Sequence, residues 1–261
     1  IDELQVLSDI KNVIVPSKSV YQGNKRVGFI MRYVPNTEFL CKLFVGNYKK
    51  RNKVSPQMVV DLIIEKQKTL QKIHDKDVIV GDYNEKNFLT DKAYKIPYFI
   101  DVDSYGTKSF KCNAIMESVR DRQLPFGDFQ VSSDWFSWAV VVFQMYTGIH
   151  PFKGKHPDYK NNEWSKRMDD NVSVFDKSVQ VPNFVDFNVI PKNHLEWFKQ
   201  VFMKGDRSIP PLPTGVSNIK VITKLYVDDK SVVKPILMFE YDKNILDLVY
   251  RGGVNYILTE D

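Results

Sequence analysis

What the sequence has little of narrows its class before any motif is considered. Two cysteines, Cys41 and Cys112, stand in 261 residues. A pair so far apart builds neither a disulfide framework nor a zinc-ligand spacing, and it suits a reducing, cytoplasmic compartment. Long hydrophobic runs are also absent. The longest, 135–146, is interrupted by Ser137 and Gln144, well short of the ~20 residues that span a bilayer. No membrane span and no signal peptide are expected, although the chain opens at Ile1 without methionine, which fits a sequence that continues upstream. Charge of one sign is scarce: 37 basic and 32 acidic residues leave a net +5. Nucleic-acid binders concentrate basic residues in one stripe or tail. Here the densest cluster, Lys49, Lys50, Arg51 and Lys53, reads as a solvated loop before a helix, so a nucleic-acid partner is not expected. No internal repeat is present.

What remains, 43% hydrophobic and 26% charged, is the composition of a globular protein with one large core or two moderate ones. Leu4, Leu7 and Ile10 carry helical spacing. Residues 13–15 and 27–33 read as strands flanking the turn Gln22-Gly23-Asn24. Pro35-Asn36 ends the second strand, and a short helix is expected over 38–44. Ser55-Pro56 opens a long helix, serine as N-cap and proline in the first turn, with Val59, Leu62, Ile63, Leu70 and Ile73 as its buried stripe. A polar loop, a strand near Phe88 and another over 96–102 follow. The stretch 104–133 has no period, and a loop of that length is usually functional or disordered. Asp134 is expected to cap a helix that is apolar nearly all round and therefore interior. Helices over 163–168 and 194–202 come next. Pro210, Pro211 and Pro213 then separate the body from a tail of short β-type runs starting at 219, broken at Asp228-Asp229, Asp242-Lys243 and Gly252-Gly253.

The chemistry concentrates in IHDKDVIVGDYNEKN, residues 73–87. Asp82 and Asn87 stand five apart between a helix and a strand. A phosphotransferase needs such a pair on one rigid loop: the carboxylate accepts or orients the proton of an attacking hydroxyl, and the amide holds a metal on the phosphates. The plainer alternative is a polar loop whose Asn caps a turn. Further on, the apolar run Phe99-Ile100 ends in Asp101 and Asp103. Carboxylates at a strand end are costly without a cation, and Mg²⁺ takes one or two carboxylates plus phosphate oxygens. In an extended strand Asp101 and Asp103 would share a face, making Asp103 a second ligand. A solvated acidic turn is the alternative.

Taken in order, Asp82-x4-Asn87, Ile100-Asp101-Val102-Asp103 and the stretch from Asp134 through Gly148-Ile149-His150-Pro151-Phe152 resemble a Hanks-type (eukaryotic-like) protein kinase. The resemblance implies an α+β fold. It divides into a partial N-lobe (1–34), a mostly helical C-lobe (35–212), and a linker with a small β element (213–261). It implies ATP and Mg²⁺ as cofactors, with metal held by Asn87, Asp101 and Asp103, and a protein Ser/Thr hydroxyl as acceptor beside Asp82. It makes Met31 the gatekeeper, puts the backbone of Arg32 and Val34 on the adenine and Glu38 near the ribose. Glu3 becomes the C-helix glutamate and Asp134 an anchor for the catalytic-loop backbone. Arg207 becomes the late-lobe arginine, paired with Asp121 or Glu117.

The sequence departs from that family in several places. No G-x-G-x-x-G loop and no V-A-I-K strand precede Glu3, which leaves it without its lysine. The chain is therefore either a piece of a longer kinase or a lobe that transfers phosphate weakly or not at all. Val80 and Gly81 stand for the His and Arg of H-R-D, removing the docking charge for a phosphorylated loop. Asn84 stands where a lysine usually meets the γ-phosphate; it would donate a hydrogen bond but stabilise less charge. Asp103 replaces the Gly of D-F-G, similar to a divergent bacterial or phage-type D-x-D branch. Residues 221–226, with Lys224, resemble a lysine-bearing kinase strand, relevant only to a circularly permuted N-lobe. Two other readings are a pseudokinase that binds a regulatory partner and a small-molecule phosphotransferase. The loop 104–133 and the Gly-x-x-Pro-Phe helix end disfavour the second.

Overall fold

A computed structural model of the chain describes residues 1–160, 162–214, 245–251 and 254–259. They belong to two compact units, Ile1–Pro213 and Thr214–Asp261.

The first unit opens with a 3-10 helix, Asp2–Leu7, that ends earlier than the apolar spacing suggests. Leu4, Leu7 and Ile10 are nonetheless all buried. Val13 bridges Phe99 in parallel, and the Ile14 amide donates to the Phe99 carbonyl at 2.9 Å. The strand expected at 13–15 is thus only a short splice. The full strand, β1 (Pro16–Gln22), starts where that one was expected to stop and pairs antiparallel with β2 (Lys25–Met31). Its sequence, PSKSVYQ, is mostly exposed and polar, so hydrophobic periodicity gave it no signal.

Beyond β2 the chain crosses residues 32–36 and enters a second sheet, ordered β3-β4-β5 and antiparallel, built from β3 (Thr37–Phe39), β4 (Phe88–Asp91) and β5 (Pro97–Phe99). The helix expected over 38–44 is therefore divided. Glu38 and Phe39 pair with Thr90 and Leu89 as strand, and a 3-10 helix begins only at Leu40–Phe44. Backbone pairing with β4 outweighs the local helical pattern.

Helix α1 (Gly46–Arg51) leads to α2 (Pro56–His74), whose Ser55 Oγ accepts from the Met58 amide at 3.2 Å. Removing this cap with Ser55→Ala is expected to lower stability by about 1 kcal/mol in urea denaturation, without changing the slope of the transition. Helix α3 (Val131–Thr147) is buried on nearly every side, as expected. Its N-cap is Gln130, in a reciprocal pair with Ser133, so Asp134 lies inside the first turn and its side chain points into the protein. Helix α4 (Trp164–Asp169) sets the Trp164 ring 5.5 Å from that of His150, and α5 (Lys192–Lys204) packs on α3. Phe143 meets Phe198 and Phe202 edge-on with centroids 5.4 and 5.7 Å apart.

No helix or strand forms between Tyr105 and Gln130, but the loop is fastened along its length. Ile79 and Gly106 exchange backbone hydrogen bonds of 2.9 and 2.7 Å. Ser137 Oγ donates to the Val119 carbonyl at 2.7 Å. His150 Nε2 lies 2.8 Å from the Ser118 carbonyl, and burial pulls its pKa down to about 4, which keeps the ring neutral at physiological pH. Arg207 forks onto Asp121 with two bonds of 2.7 Å, settling the pairing left open above; Glu117 pairs with Arg120 and Arg122.

In the second unit, β6 (Ile245–Arg251) and β7 (Val254–Thr259) form an antiparallel hairpin. The lysine-bearing stretch 221–226 and the breaks at Asp228-Asp229, Asp242-Lys243 and Gly252-Gly253 lie outside the described residues. Among the described residues, no helix is long and apolar enough to cross a membrane.

Candidate functional site

The site is assembled from α3 outward. The Asp134 carboxylate, fully buried, accepts from the amides of Val80 and Gly81 and contacts His74 Nε2, each at 2.8 Å. Burying a carboxylate is tolerable only when its oxygens are hydrogen-bonded, and here three donors converge on it. Val80 and Gly81 contribute main chain, while the imidazole comes from His74 at the end of α2. Gly81 has φ +73°, and a Cβ there would lie 2.4 Å from Cys112 Sγ and 2.8 Å from Cys112 Cβ. The loop 105–130 therefore occupies the space that a side chain at position 81 would take.

One residue further on, Asp82 Oδ1 accepts the Met116 amide at 2.9 Å. Asn87 Nδ2 donates to the Asp82 carbonyl at 3.0 Å and reaches Asp101 Oδ2 at 3.5 Å, so one amide joins the two acidic segments. Asp101 has φ +61° and starts a 3-10 helix, Val102–Ser104. The strand ends at Phe99, so the period-two argument that put Asp101 and Asp103 on one face does not hold; the turn, not strand alternation, brings both to the same cleft. Partial burial first, then the charges of Asp103 and Asp82, push the Asp101 carboxyl above the usual carboxylate range. None of the three carboxylates makes an ion pair with a basic side chain among the described residues.

Asn87, Asp101 and Asp103 edge a cleft of about 590 Å³; Asp82 is not among its lining residues and joins it through the bond of its main-chain carbonyl to Asn87. Met31, Arg32 and Val34 line one side, Asn87, Asp101 and Asp103 the other, and Ile14, Phe29, Leu89 and Ile100 give it apolar walls. Six of the expected site residues thus share one cavity. The others sit elsewhere. Asn84 is 3% exposed and its Oδ1 accepts the Lys86 amide at 2.8 Å, so its side chain shapes the loop from within. Glu38 lies on β3, paired with Lys42. Glu3 is not on an α-helix. It accepts from Thr107 Oγ1 at 2.5 Å and from the Ser109 amide at 3.1 Å, and hydrogen bonds from Ser109 and Thr107 hold its carboxyl below the usual range.

The donor set fits a divalent cation. Asp101, Asp103 and Asn87 offer hard oxygen ligands in a region of uncompensated negative charge, as Mg²⁺ requires. No three His, Cys, Asp or Glu side chains cluster tightly enough for a metal among the described residues, so oxygens of a bound phosphate would complete the coordination.

Sequence reasoning missed several contributors. His74 ends a helix eight residues before Asp82 and was not connected with the missing loop histidine. Met116 acts through its backbone, which no side-chain motif encodes. Lys66 falls on the apolar stripe of α2, between Ile63 and Leu70, and that position was its signal. It is fully buried, with Nζ 3.1 Å from the Phe88 ring centroid, 4.5 Å from Tyr83 and 5.2 Å from Phe99, and without a hydrogen-bond partner. Cation–π attraction in a desolvated site is worth about 2 kcal/mol or more, whereas taking an ammonium out of water costs several, from an idealised cost on the order of 20 kcal/mol. The larger effect wins, and burial holds the amine pKa well below its ordinary value.

The architecture is protein kinase-like. The chain is similar to the solved structure of the Cydia pomonella granulovirus kinase PK-1, with TM-score 0.56 and 16% identity over 77% of this chain and 72% of that one. It is also similar to cAMP-dependent protein kinase type 3 of Saccharomyces cerevisiae, 23% identical over 154 residues, or 58% of this chain. The chain spans 37% of the length of that yeast relative. No protein-family model matches it.

Proposed function

We propose that the chain is the catalytic body of a phosphotransferase that moves the γ-phosphate of ATP to a Ser or Thr hydroxyl of a protein. The observation that carries this reading is the Asn87 amide, which lines the cleft beside Asp101 and Asp103 and joins the Asp101 carboxylate to the main-chain carbonyl of Asp82. Asp101 and Asn87, with Asp103 beside them, would hold Mg²⁺, which when bound neutralises phosphate charge and orients the terminal phosphoryl group. Met31 and the apolar walls suit a purine ring, and the Val34 amide, unpaired among the described residues, suits its edge. With Asp82 Oδ1 fixed by the Met116 amide, Oδ2 remains to take the proton of the acceptor hydroxyl. The loop 105–130, joined to Asp82 at Met116, offers an extended surface for a protein acceptor. Two free thiols, Cys41 and Cys112, support a reducing, cytoplasmic setting.

A second reading, a pseudokinase that binds a regulatory partner, draws on Glu3 and Asn84. Glu3 is held by Thr107 and Ser109 rather than by a lysine, and Asn84 is turned inward. Both weaken transfer without touching the cleft.

Thermal unfolding with Mg²⁺–ATP separates the parts of this account. The wild type and Asp82→Asn are expected to gain stability by mass action, while Asp101→Asn gains none. Transfer of labelled phosphate to a mixed peptide substrate is expected to fall at least about 100-fold in Asp82→Asn. Ligand stabilisation without measurable transfer by the wild type selects the pseudokinase reading. No stabilisation of the wild type refutes nucleotide binding.

A further inference from the structure

Lys66 lies against three rings carried by the segments that hold the candidate site. Each ring around its amine belongs to a segment bearing a site residue: Tyr83 follows Asp82, Phe88 follows Asn87, and Phe99 stands two residues before Asp101. The three rings also touch one another, with centroids 4.4 Å (Tyr83–Phe88), 4.9 Å (Phe88–Phe99) and 6.0 Å (Tyr83–Phe99) apart. The cage is thus one body with a lysine at its centre. Its titratable members are few. Tyr83, from the catalytic loop, has a buried hydroxyl without a partner and is held neutral, its pKa pushed well up by burial. β4 and β5 present Phe88 and Phe99. On α2 the neighbouring polar side chains, Gln67 and Thr69, are turned to the Pro210 and Glu65 carbonyls. Burial alone acts on the Lys66 amine, and no charged group offsets it.

An ordinary core would place leucine or methionine here. A neutral amine can fill the same volume while directing N–H at the ring faces. A protonated one is met here by ring faces alone, whose attraction is worth about 2 kcal/mol or more against a desolvation cost of several, so the charge strains the cage.

We propose that Lys66 is a positioning residue: its buried, unbonded amine props the aromatic cage that spaces Asp82, Asn87 and Asp101, and a proton taken from solvent onto it loosens the cleft. The consequence for ligand binding rests on the nucleotide reading above; the behaviour of the cage does not.

The sign follows from linkage. With the folded pKa below the unfolded value of about 10.4, the unfolded chain holds more protons between the two values. Stability therefore climbs with pH across that window and is lost as pH falls towards the folded pKa. A full proton corresponds to tenfold in the folding equilibrium per pH unit, or about 3–5 °C for a chain of this size.

The test is thermal unfolding of the full chain between pH 7 and 9.5, wild type against Lys66→Met and Lys66→Arg, with and without Mg²⁺–ATP. The wild-type midpoint is expected to rise with pH relative to Lys66→Met by up to about 3–5 °C per unit. Lys66→Met should be the more stable protein at pH 7, and Lys66→Arg, which keeps its charge, the least stable throughout. The ATP-induced shift should grow with pH in the wild type more than in Lys66→Met. Parallel midpoint profiles for wild type and Lys66→Met overturn the proposal. Diverging profiles with the same ATP shift in both proteins at every pH overturn the positioning role and leave a purely structural lysine. An ATP shift missing from every protein at every pH refutes the nucleotide reading instead, and the ligand-free profiles still decide the cage.

Discussion

Gly81→Arg, which restores the arginine of the H-R-D motif, is expected to cost roughly 2–5 kcal/mol of stability and to repair nothing. Position 81 is left-handed, φ +73°, which disfavours any side chain by about 1–2 kcal/mol. A Cβ there meets Cys112 at both Sγ and Cβ, and the second contact, close to the main chain, cannot be relieved by a simple rotation of the thiol. Overpacking of this kind costs about 1–3 kcal/mol. The Gly81 amide is also one of the three donors to Asp134, so movement of the backbone to relieve the clash disturbs the buried carboxylate. Urea denaturation of Gly81→Ala alone and combined with Cys112→Gly, which removes both Sγ and Cβ, divides the two costs. The double variant should recover the steric part and keep the backbone part. Full stability in Gly81→Arg would show that loop 105–130 does not press on this position.

Asp134→Ala is the second large effect, about 3–5 kcal/mol, because removal of one partner leaves the others buried and unpaired. The Val80 and Gly81 amides and the His74 ring, all at buried positions, lose their acceptor together. Domains commonly have only 5–15 kcal/mol in total, so the variant is expected to be partly unfolded near 37 °C. Asp134→Asn, which keeps the shape and one acceptor oxygen, should lose less. Near-UV circular dichroism would report the change through Trp135, whose ring lies 5.3 Å from His74. An Asp134→Ala protein as stable as wild type would mean that the loop from Val80 to Asn87 is held by other contacts.

Much of this organisation was legible in the sequence where periodicity is strong. α2 has a cap, a proline and an apolar stripe interrupted at Lys66, and α3 is apolar nearly all round, so the start of α2 was legible and α3 was read to begin three residues late. The polar strand β1 and the strand residues Glu38 and Phe39 were misplaced because their pairing partners, not their own pattern, define them. The site residues Asp82, Asn87 and Asp101 stood out because chemistry needs those side chains at those spacings. How Asp101 and Asp103 meet could not be read from alternation, since a left-handed turn at Asp101 replaces the expected strand. Asn84 was given an outward role because nothing in a local motif reveals that the Lys86 amide claims its oxygen. Asp121 and Glu117 could not be separated as partners of Arg207 across 86 residues, whereas the two-pronged geometry distinguishes them at once.

The central claim, that one cleft between Met31 and Asp101 receives a metal-bound nucleotide, is tested most directly by methyl NMR with Mn²⁺ in place of Mg²⁺. With ATP present, the Met31 methyl signal is expected to broaden more strongly than that of Met203 on α5, and Asp101→Asn should abolish the difference. Equal broadening of both methyls, or a Met31 effect that survives Asp101→Asn, would contradict it.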